Sequence, residues 1–469
     1  MKRKRKMQQF IDIFLMLSSL GVMIICLSMR VEEGVWLLPA LYLFCFCRCI
    51  YHQEYIEKVA VKIIVFCTYI RYVILPFAYY FLNSGYDLGA GRILLRYVSP
   101  VLFHNAKVIW IMALELVTIF LCIRIAAPKI YKKSEEAEIK IKPFGVTTGV
   151  IAVIGFLLLV IHPGLVGILK RFMGYVQVQS TLYVMIYRVA VTVWILGFIS
   201  VIKVNRIIKS DKMRCVASVA AWLIFCLESA IGATGEISRW GLIINLLIGY
   251  ILLEKLYSQY RKKMQAGILV IGVLGILALT LEKFAYLEAD GMAQSLLRII
   301  NYKTLNSYFA GPTNIAYAIQ AKENYSEAIS LHTALNDIFG NFPVLNHFLS
   351  VTDQSGWYFN KTIYGILESS DQICPFSGQA YMCMSYFGVI IWNVALSVTG
   401  MLFESQAEKN VYLAWKYVYY YLTVVLAIGT IINLAIIFQY IWIRILPLVV
   451  VFYFDIGIKE WHIRHRIRI

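Results

Sequence analysis

An all-α, polytopic membrane protein is the fold class this sequence predicts, and three observations predict it. The 469 residues have a mean hydropathy of +0.70 and only 15% are charged. That is too little polar surface to clothe a soluble chain of this length. Apolar runs of about 20 residues recur along it, the length a helix needs to cross the hydrocarbon core. The runs are continuous rather than alternating, which excludes a membrane β-barrel.

About twelve spans are predicted, near 11–29, 34–50, 61–82, 104–126, 144–162, 181–202, 215–232, 239–256, 265–282, 379–402, 411–430 and 439–456. The first follows Met-Lys-Arg-Lys-Arg-Lys. It is long for a signal peptide and lacks a small-residue cleavage site, so it reads as a retained helix. The connections set the orientation. With the N-terminus inside, 29 of the 44 Lys and Arg fall in inner segments and 11 in outer ones, as the positive-inside rule requires. Lys129, Lys132, Lys133, Lys140 and Lys142 crowd one inner loop, and Lys203, Arg206, Lys209, Lys212 and Arg214 another. An even number of spans returns the basic C-terminus inside. The net charge of +17 is therefore topological and favours anionic lipid; no nucleic-acid partner is expected.

Three regions follow: an N-terminal bundle of about nine helices over 1–282, one large extracytoplasmic loop over 283–378, and C-terminal transmembrane helices over 379–469. The loop is too long for an idle connector. It carries amphipathic helical patterns over 292–300 and 333–349, and many aromatics. Most of the ten Cys lie in or beside apolar runs, so no disulfide framework follows. Cys45, Cys47 and Cys49 scatter around a helix and read as packing. No metal site is predicted.

Charges inside spans are costly and mark function by default. Arg71 and Glu115 fall near the middle of spans, Arg188 and Arg444 in outer thirds, and Glu228 near the outer end of the seventh. Arg239 opens the eighth. Guanidinium stays protonated and grips phosphate through a planar fork, so a ring of Arg at this depth suits a lipid-anchored pyrophosphate. The structural alternatives are an Arg71–Glu115 pair, Arg239 with Glu236 or Glu228, and snorkelling of Arg444 to the headgroups. In the loop, His332, Asp337 and Asp371 are candidate general bases for a hydroxyl, against the reading that they are ordinary solvated side chains. Tyr308, Trp357 and Tyr358 are candidates to stack on sugar rings, or belong to an interfacial belt. No Walker loop, G-x-S-x-G, H-E-x-x-H or Rossmann fingerprint is present, and no cofactor is expected.

The layout resembles the O-antigen and capsule repeat-unit polymerases, the Wzy family. The likeness is carried by the span count, by Gly235-x-x-Ser238-Arg239 opening a span, and by one large outer loop. Within that loop stand Tyr308-Phe309-Ala310-Gly311-Pro312 and Asp337-Ile-Phe-Gly340-Asn341-Phe-Pro343, and its exit runs from Asp371-Gln372-Ile373-Cys374-Pro375 to Tyr386-Phe387-Gly388. The resemblance implies a metal-independent glycosyltransferase of the bacterial plasma membrane with both termini cytoplasmic. It would join undecaprenyl-pyrophosphate-linked oligosaccharide units on the outer face, with chain-length regulator and flippase proteins as partners. Arg239 matches the family's arginine best and Arg298 next; with Arg188 and Arg71 they form the implied pyrophosphate set. The R-x10-G pattern of some members is not met, since Gly311 lies two residues too far from Arg298, and 163–180 offers only Lys170 and Arg171. A lipid-linked oligosaccharide flippase and a sugar-polymer ligase are the competing readings; the long outer loop and the absence of two related halves favour the polymerase over the flippase.

The topology is directly testable. A periplasmic-only reporter inserted at about residue 328 is expected to be active and one at about residue 208 silent; the reverse pattern overturns the assigned orientation.

Overall fold

The structure is a computed structural model. It describes residues 2–28, 34–51, 53–81, 106–132, 136–141, 145–176, 178, 180–204, 208, 210–231, 238–285, 302–343, 345, 353–365 and 372–466. The described residues are predominantly helical, with no strand; a single bridge joins Lys140 and Tyr412. The helices are α1 (Lys2–Ser28), α2 (Leu37–Ile50), α3 (Val59–Tyr79), α4 (Ala106–Tyr131), α5 (Val146–Ile161), α6 (Gly167–Met173), α7 (Thr181–Val204), α8 (Asp211–Ile231), α9 (Arg239–Leu256) and α10 (Arg261–Ala285). Then come α11 (Tyr302–Phe309), α12 (Pro312–Asn324), α13 (Leu331–Phe339), α14 (Ser355–Tyr364), α15 (Phe376–Lys409), α16 (Leu413–Ala427) and α17 (Leu434–Ile458).

A helix lies at each expected span, but helices of spanning length are fewer than the twelve expected. Among the described residues, seven helices are long and apolar enough to cross a membrane, or eight if the bent α9–α10 pair forms one span; α2 and α5 are shorter apolar helices. The apolar helices establish the membrane class. Helix α13 covers only the first part of the loop helix expected over 333–349: it starts at a Ser330–Thr333 capping box and ends at Phe339, and 346–349 lie outside the described residues. The pattern over 292–300 lies outside the described residues.

The chain forms two compact units that interleave along the sequence rather than following its linear regions. One comprises 1–133, 284–402 and 425–439; the other comprises 134–283, 403–424 and 440–469.

In the first unit, Tyr42 packs its ring against Phe46, Tyr69 and Phe120, joining α2, α3 and α4. Within this apolar core Arg71 and Glu115, both fully buried, form an ion pair. Arg71 also donates to the Thr430 carbonyl at 2.9 Å. A second core packs Tyr317 and Ala318 of α12 with Phe359 and Ile363 of α14, Cys374 and Met382. Helix α15 breaks at Ser385, whose φ of 57° and ψ of −153° are not helical. Lys322 of α12 steadies the break, donating to the Tyr381 carbonyl (2.9 Å) and to Ser385 Oγ (2.5 Å).

In the second unit, Asp455 of α17 holds the start of α5. Its carboxylate accepts from the backbone N–H of Gly145 (3.0 Å) and Thr147 (2.7 Å) and from the Thr148 hydroxyl, satisfying donors that a helix start leaves unpaired. Trp222 of α8 donates its indole N–H to the Asn245 carbonyl of α9 at 2.8 Å. Lys416 Nζ donates to the carbonyls of Ala407 (3.0 Å) and Glu408 (3.2 Å) and so closes the end of α15.

Removing one member of the Arg71–Glu115 pair leaves an uncompensated buried charge, a loss of about 3–5 kcal/mol. Arg71→Met and Glu115→Leu are each expected to lower the thermal unfolding midpoint strongly, and the double variant to recover most of the loss. Additive losses in that double-mutant cycle would show that the two side chains are not coupled.

Candidate functional site

The second unit holds a small cavity lined by Arg188 of α7, Arg444 of α17, Glu228 of α8, Tyr187, Thr192 and Tyr417, with Val191, Phe225 and Ser229 completing the wall. Each polar side chain reaches it for a local reason. Tyr187 and Arg188 are consecutive on α7, and Thr192 lies one turn on, its hydroxyl donating to the Arg188 carbonyl at 2.9 Å. Arg444 sits in a π-helical turn, Ile441–Ile445. Such turns insert an extra residue into the helical register and recur at functional sites. Its guanidinium lies over the Tyr440 ring, 5.3 Å from the centroid.

Two guanidiniums therefore share a cavity with one carboxylate. That carboxylate is already engaged: Glu228 Oε1 accepts from the Gly167 N–H and from the Tyr187 hydroxyl, both at 3.1 Å. Among the described residues, neither Arg188 nor Arg444 is in an ion pair with a carboxylate. The wall carries one positive charge in excess inside a helical bundle, where weak screening makes an anion the natural complement. The cavity measures about 30 Å³, room for about two waters. A phosphate seats only as the arginine side chains move apart.

The other expected site residues lie elsewhere. Arg71, also in a π-helical turn (Ile70–Ile74), is spent on Glu115 in the first unit; the structural alternative holds for it. Arg239 opens α9 in the second unit behind the Ser238 cap, whose hydroxyl accepts from the Gly241 N–H at 3.1 Å, and it does not line the cavity. Arg298 and Asp371 lie outside the described residues. His332 is exposed on α13, with Nδ1 3.5 Å from the Asn336 amide.

Asp337 is fully buried. Its carboxyl accepts from the Ser355 N–H at the start of α14 (3.1 Å) and from the Gln379 amide of α15 (2.6 Å). Burial pushes it up to about 7, against the opposing pull of its hydrogen bonds from Ser355 and Gln379. Tyr358 is buried beside half-buried Trp357, their rings 5.6 Å apart and edge-on, with Lys361 over the Trp357 ring. Tyr308 is half-buried at the end of α11.

Tyr187, Tyr417 and the position of Glu228 beside both arginines were not anticipated. The available signal was the Tyr187-Arg188 pair in a span, together with an acid at a similar depth two helices' worth of sequence later. Among the described residues no cluster of His, Cys, Asp and Glu has the arrangement of a metal site. No protein-family model, curated protein or solved structure matches the chain.

Asp337 gives a pH signature. Its folded value, about 7, lies above the ordinary 3.8, so its contribution is complete below 3.8 and is lost as pH rises through about 7. Hydrogen exchange, corrected for intrinsic rate, is expected to show α14 losing protection over that window. Asp337→Asn is expected to remove the slope; a slope that persists in it assigns the effect to another group.

Proposed function

We propose that this chain is a polytopic glycosyltransferase of the bacterial plasma membrane that polymerises oligosaccharide repeat units carried on undecaprenyl pyrophosphate. In this reading about twelve spans place both termini in the cytoplasm and the 283–378 segment outside, in keeping with the distribution of Lys and Arg. The observation that carries it is the pair Arg188 and Arg444 in one cavity, with Glu228 as the only acid on its wall.

The chemistry follows from charge. A growing chain leaves its carrier when the bond between its terminal sugar and the pyrophosphate breaks. Negative charge then develops on the departing phosphate. Once the cavity has opened to admit the phosphate, guanidiniums held beside that oxygen stabilise its charge, and the surrounding bundle weakens screening. The carrier lipid keeps both substrates in one leaflet and supplies proximity. Arg239, the residue that matches the family's arginine, opens a helix in the same compact unit, where the helix dipole also favours an anion. The hydroxyl of the acceptor sugar needs a base, for which His332, Asp337 and Asp371 are the loop candidates.

Arg188→Lys and Arg444→Lys keep the charge but lose the fork. Each is expected to cut polymerisation about 100-fold or more, the scale for losing a donor aimed at developing charge. Cells carrying them are expected to display single repeat units while the protein stays at normal level in the membrane. Repeat units trapped on the inner face would instead indicate a flippase, and long chains retained on the carrier a ligase. Full-length polymer from Arg444→Ala removes this cavity from the reaction.

A further inference from the structure

A second hollow in the same unit lies where α5 hands over to α7. It measures about 380 Å³, within the range of pockets that take small molecules, about 300–1,000 Å³. Its wall includes His162, Pro163, Gly164, Tyr175, Ser180 and Tyr183, and among the described residues none that lines it is Asp, Glu, Lys or Arg. The His162 and Tyr183 rings stack with centroids 5.4 Å apart and planes at 28°. That contact covers one face of the tyrosine and braces it. Tyr183 remains 37% and Tyr175 41% exposed, so each still offers ring surface. The floor is tight at Gly164, where a Cβ would come within 2.5 Å of the Val176 carbonyl. Gly174, in the left-handed conformation at φ 68°, ends α6 and turns the chain back towards that floor.

The hollow is tied to the arginine cavity in two ways. Tyr183 lies on α7 four residues before Tyr187 and five before Arg188, so their backbone positions are separated by an axial rise of about 6–8 Å. The segment that forms the floor continues into Gly167, whose N–H is held by Glu228 of the cavity wall at 3.1 Å. Tyr187 donates to the same carboxylate oxygen. A ring-bearing hollow, with no charged side chain among its described lining residues, thus shares α7 with the cationic cavity, its Tyr183 one to two helical turns before Arg188.

We propose that this hollow is a saccharide subsite. It receives the sugar joined to the phosphate that Arg188 and Arg444 hold, with Tyr183 and Tyr175 as the stacking faces; the proposal rests on the phosphate reading of the cavity. The order of the two hollows matches a ligand in which an uncharged ring is followed, through one C–O–P linkage, by an anion. A pyranose has an apolar C–H face that lies on aromatic rings and hydroxyls around its rim. Ser180 and the backbone carbonyls of the lining are partners for those hydroxyls.

The test uses the full chain in nanodiscs and two probes: undecaprenyl pyrophosphate, and the same lipid bearing one N-acetylhexosamine. Native mass spectrometry gives the ratio of their Kd values. The wild type is expected to prefer the sugar-bearing lipid. Tyr175→Ala and Tyr183→Ala are each expected to cut that preference roughly three- to tenfold, the size of a stacking contact, and Tyr183→Phe to retain it. Arg444→Gln is expected to weaken both lipids equally. If the bare lipid fails to bind the wild type, or binds Arg444→Gln as tightly, the phosphate reading falls and the subsite falls with it. If the bare lipid binds through Arg444 but the wild type shows no preference, or the alanine variants keep it, the subsite alone is refuted. Equal weakening of both lipids by the alanine variants would make the hollow an acyl-chain groove, which also overturns it.

Discussion

A guanidinium cannot shed its charge, so each arginine placed within a membrane bundle demands compensation from the protein around it. The two units meet that demand in different ways. Arg71 is neutralised by Glu115 and further bonded to the Thr430 carbonyl, deep in apolar packing. Nothing there is left for a ligand's charge. Arg188 and Arg444 share a wall with Glu228, whose Oε1 already accepts from Gly167 and Tyr187. Compensation at that site is incomplete within the described residues, and incomplete compensation is what gives a cavity affinity for an anion.

Distorted helix geometry accompanies both solutions. Arg71 and Arg444 each stand in a five-residue π-helical turn. A π turn costs regular backbone hydrogen bonding and rotates the following residues around the axis, which re-aims side chains without breaking the helix. The break in α15 at Ser385 is a larger departure, and Lys322 compensates it by bonding the Tyr381 carbonyl and the Ser385 hydroxyl. Asp455 and Lys416 perform the same service at the start of α5 and the end of α15. The irregular points therefore carry their own polar partners, as backbone withdrawn from water requires.

Sequence made the membrane class and the placement of the helices legible, because hydropathy over about 20 residues is a direct measure of what can leave water. It also allowed the Arg71–Glu115 pair, since two opposite charges buried at similar depth have few other partners. The cavity was harder to read. Arg188 and Arg444 are far apart in the chain, and only the packing of α7 against α17 unites them. The π turns at Ile70–Ile74 and Ile441–Ile445 were marked by Pro76 and Pro447, which cannot donate to the carbonyls of Tyr72 and Ile443 four residues back; the Ser385 break has no Gly or Pro at the position itself. Trp357 and Tyr358 illustrate the opposite difficulty: aromatic residues in a loop look available for ligand, yet Tyr358 is largely consumed by packing within α12 and α14.

Asp337 shows why burial and hydrogen bonding must be read together. Gln379 accepts the Leu434 N–H through its Oε1, so its amide N–H₂ is obliged to face Asp337 and cannot flip. The Ser355 N–H, at the first turn of α14, presents a second fixed donor. The carboxyl thus joins α13, α14 and α15 through donors that are themselves held in place. For this group to take a proton from a substrate hydroxyl, α14 would first have to release Ser355, exposing the helix start that Asp337 now satisfies. The energetic pull of that contact is towards order in α13 and α14, and proton transfer at Asp337 would have to work against it.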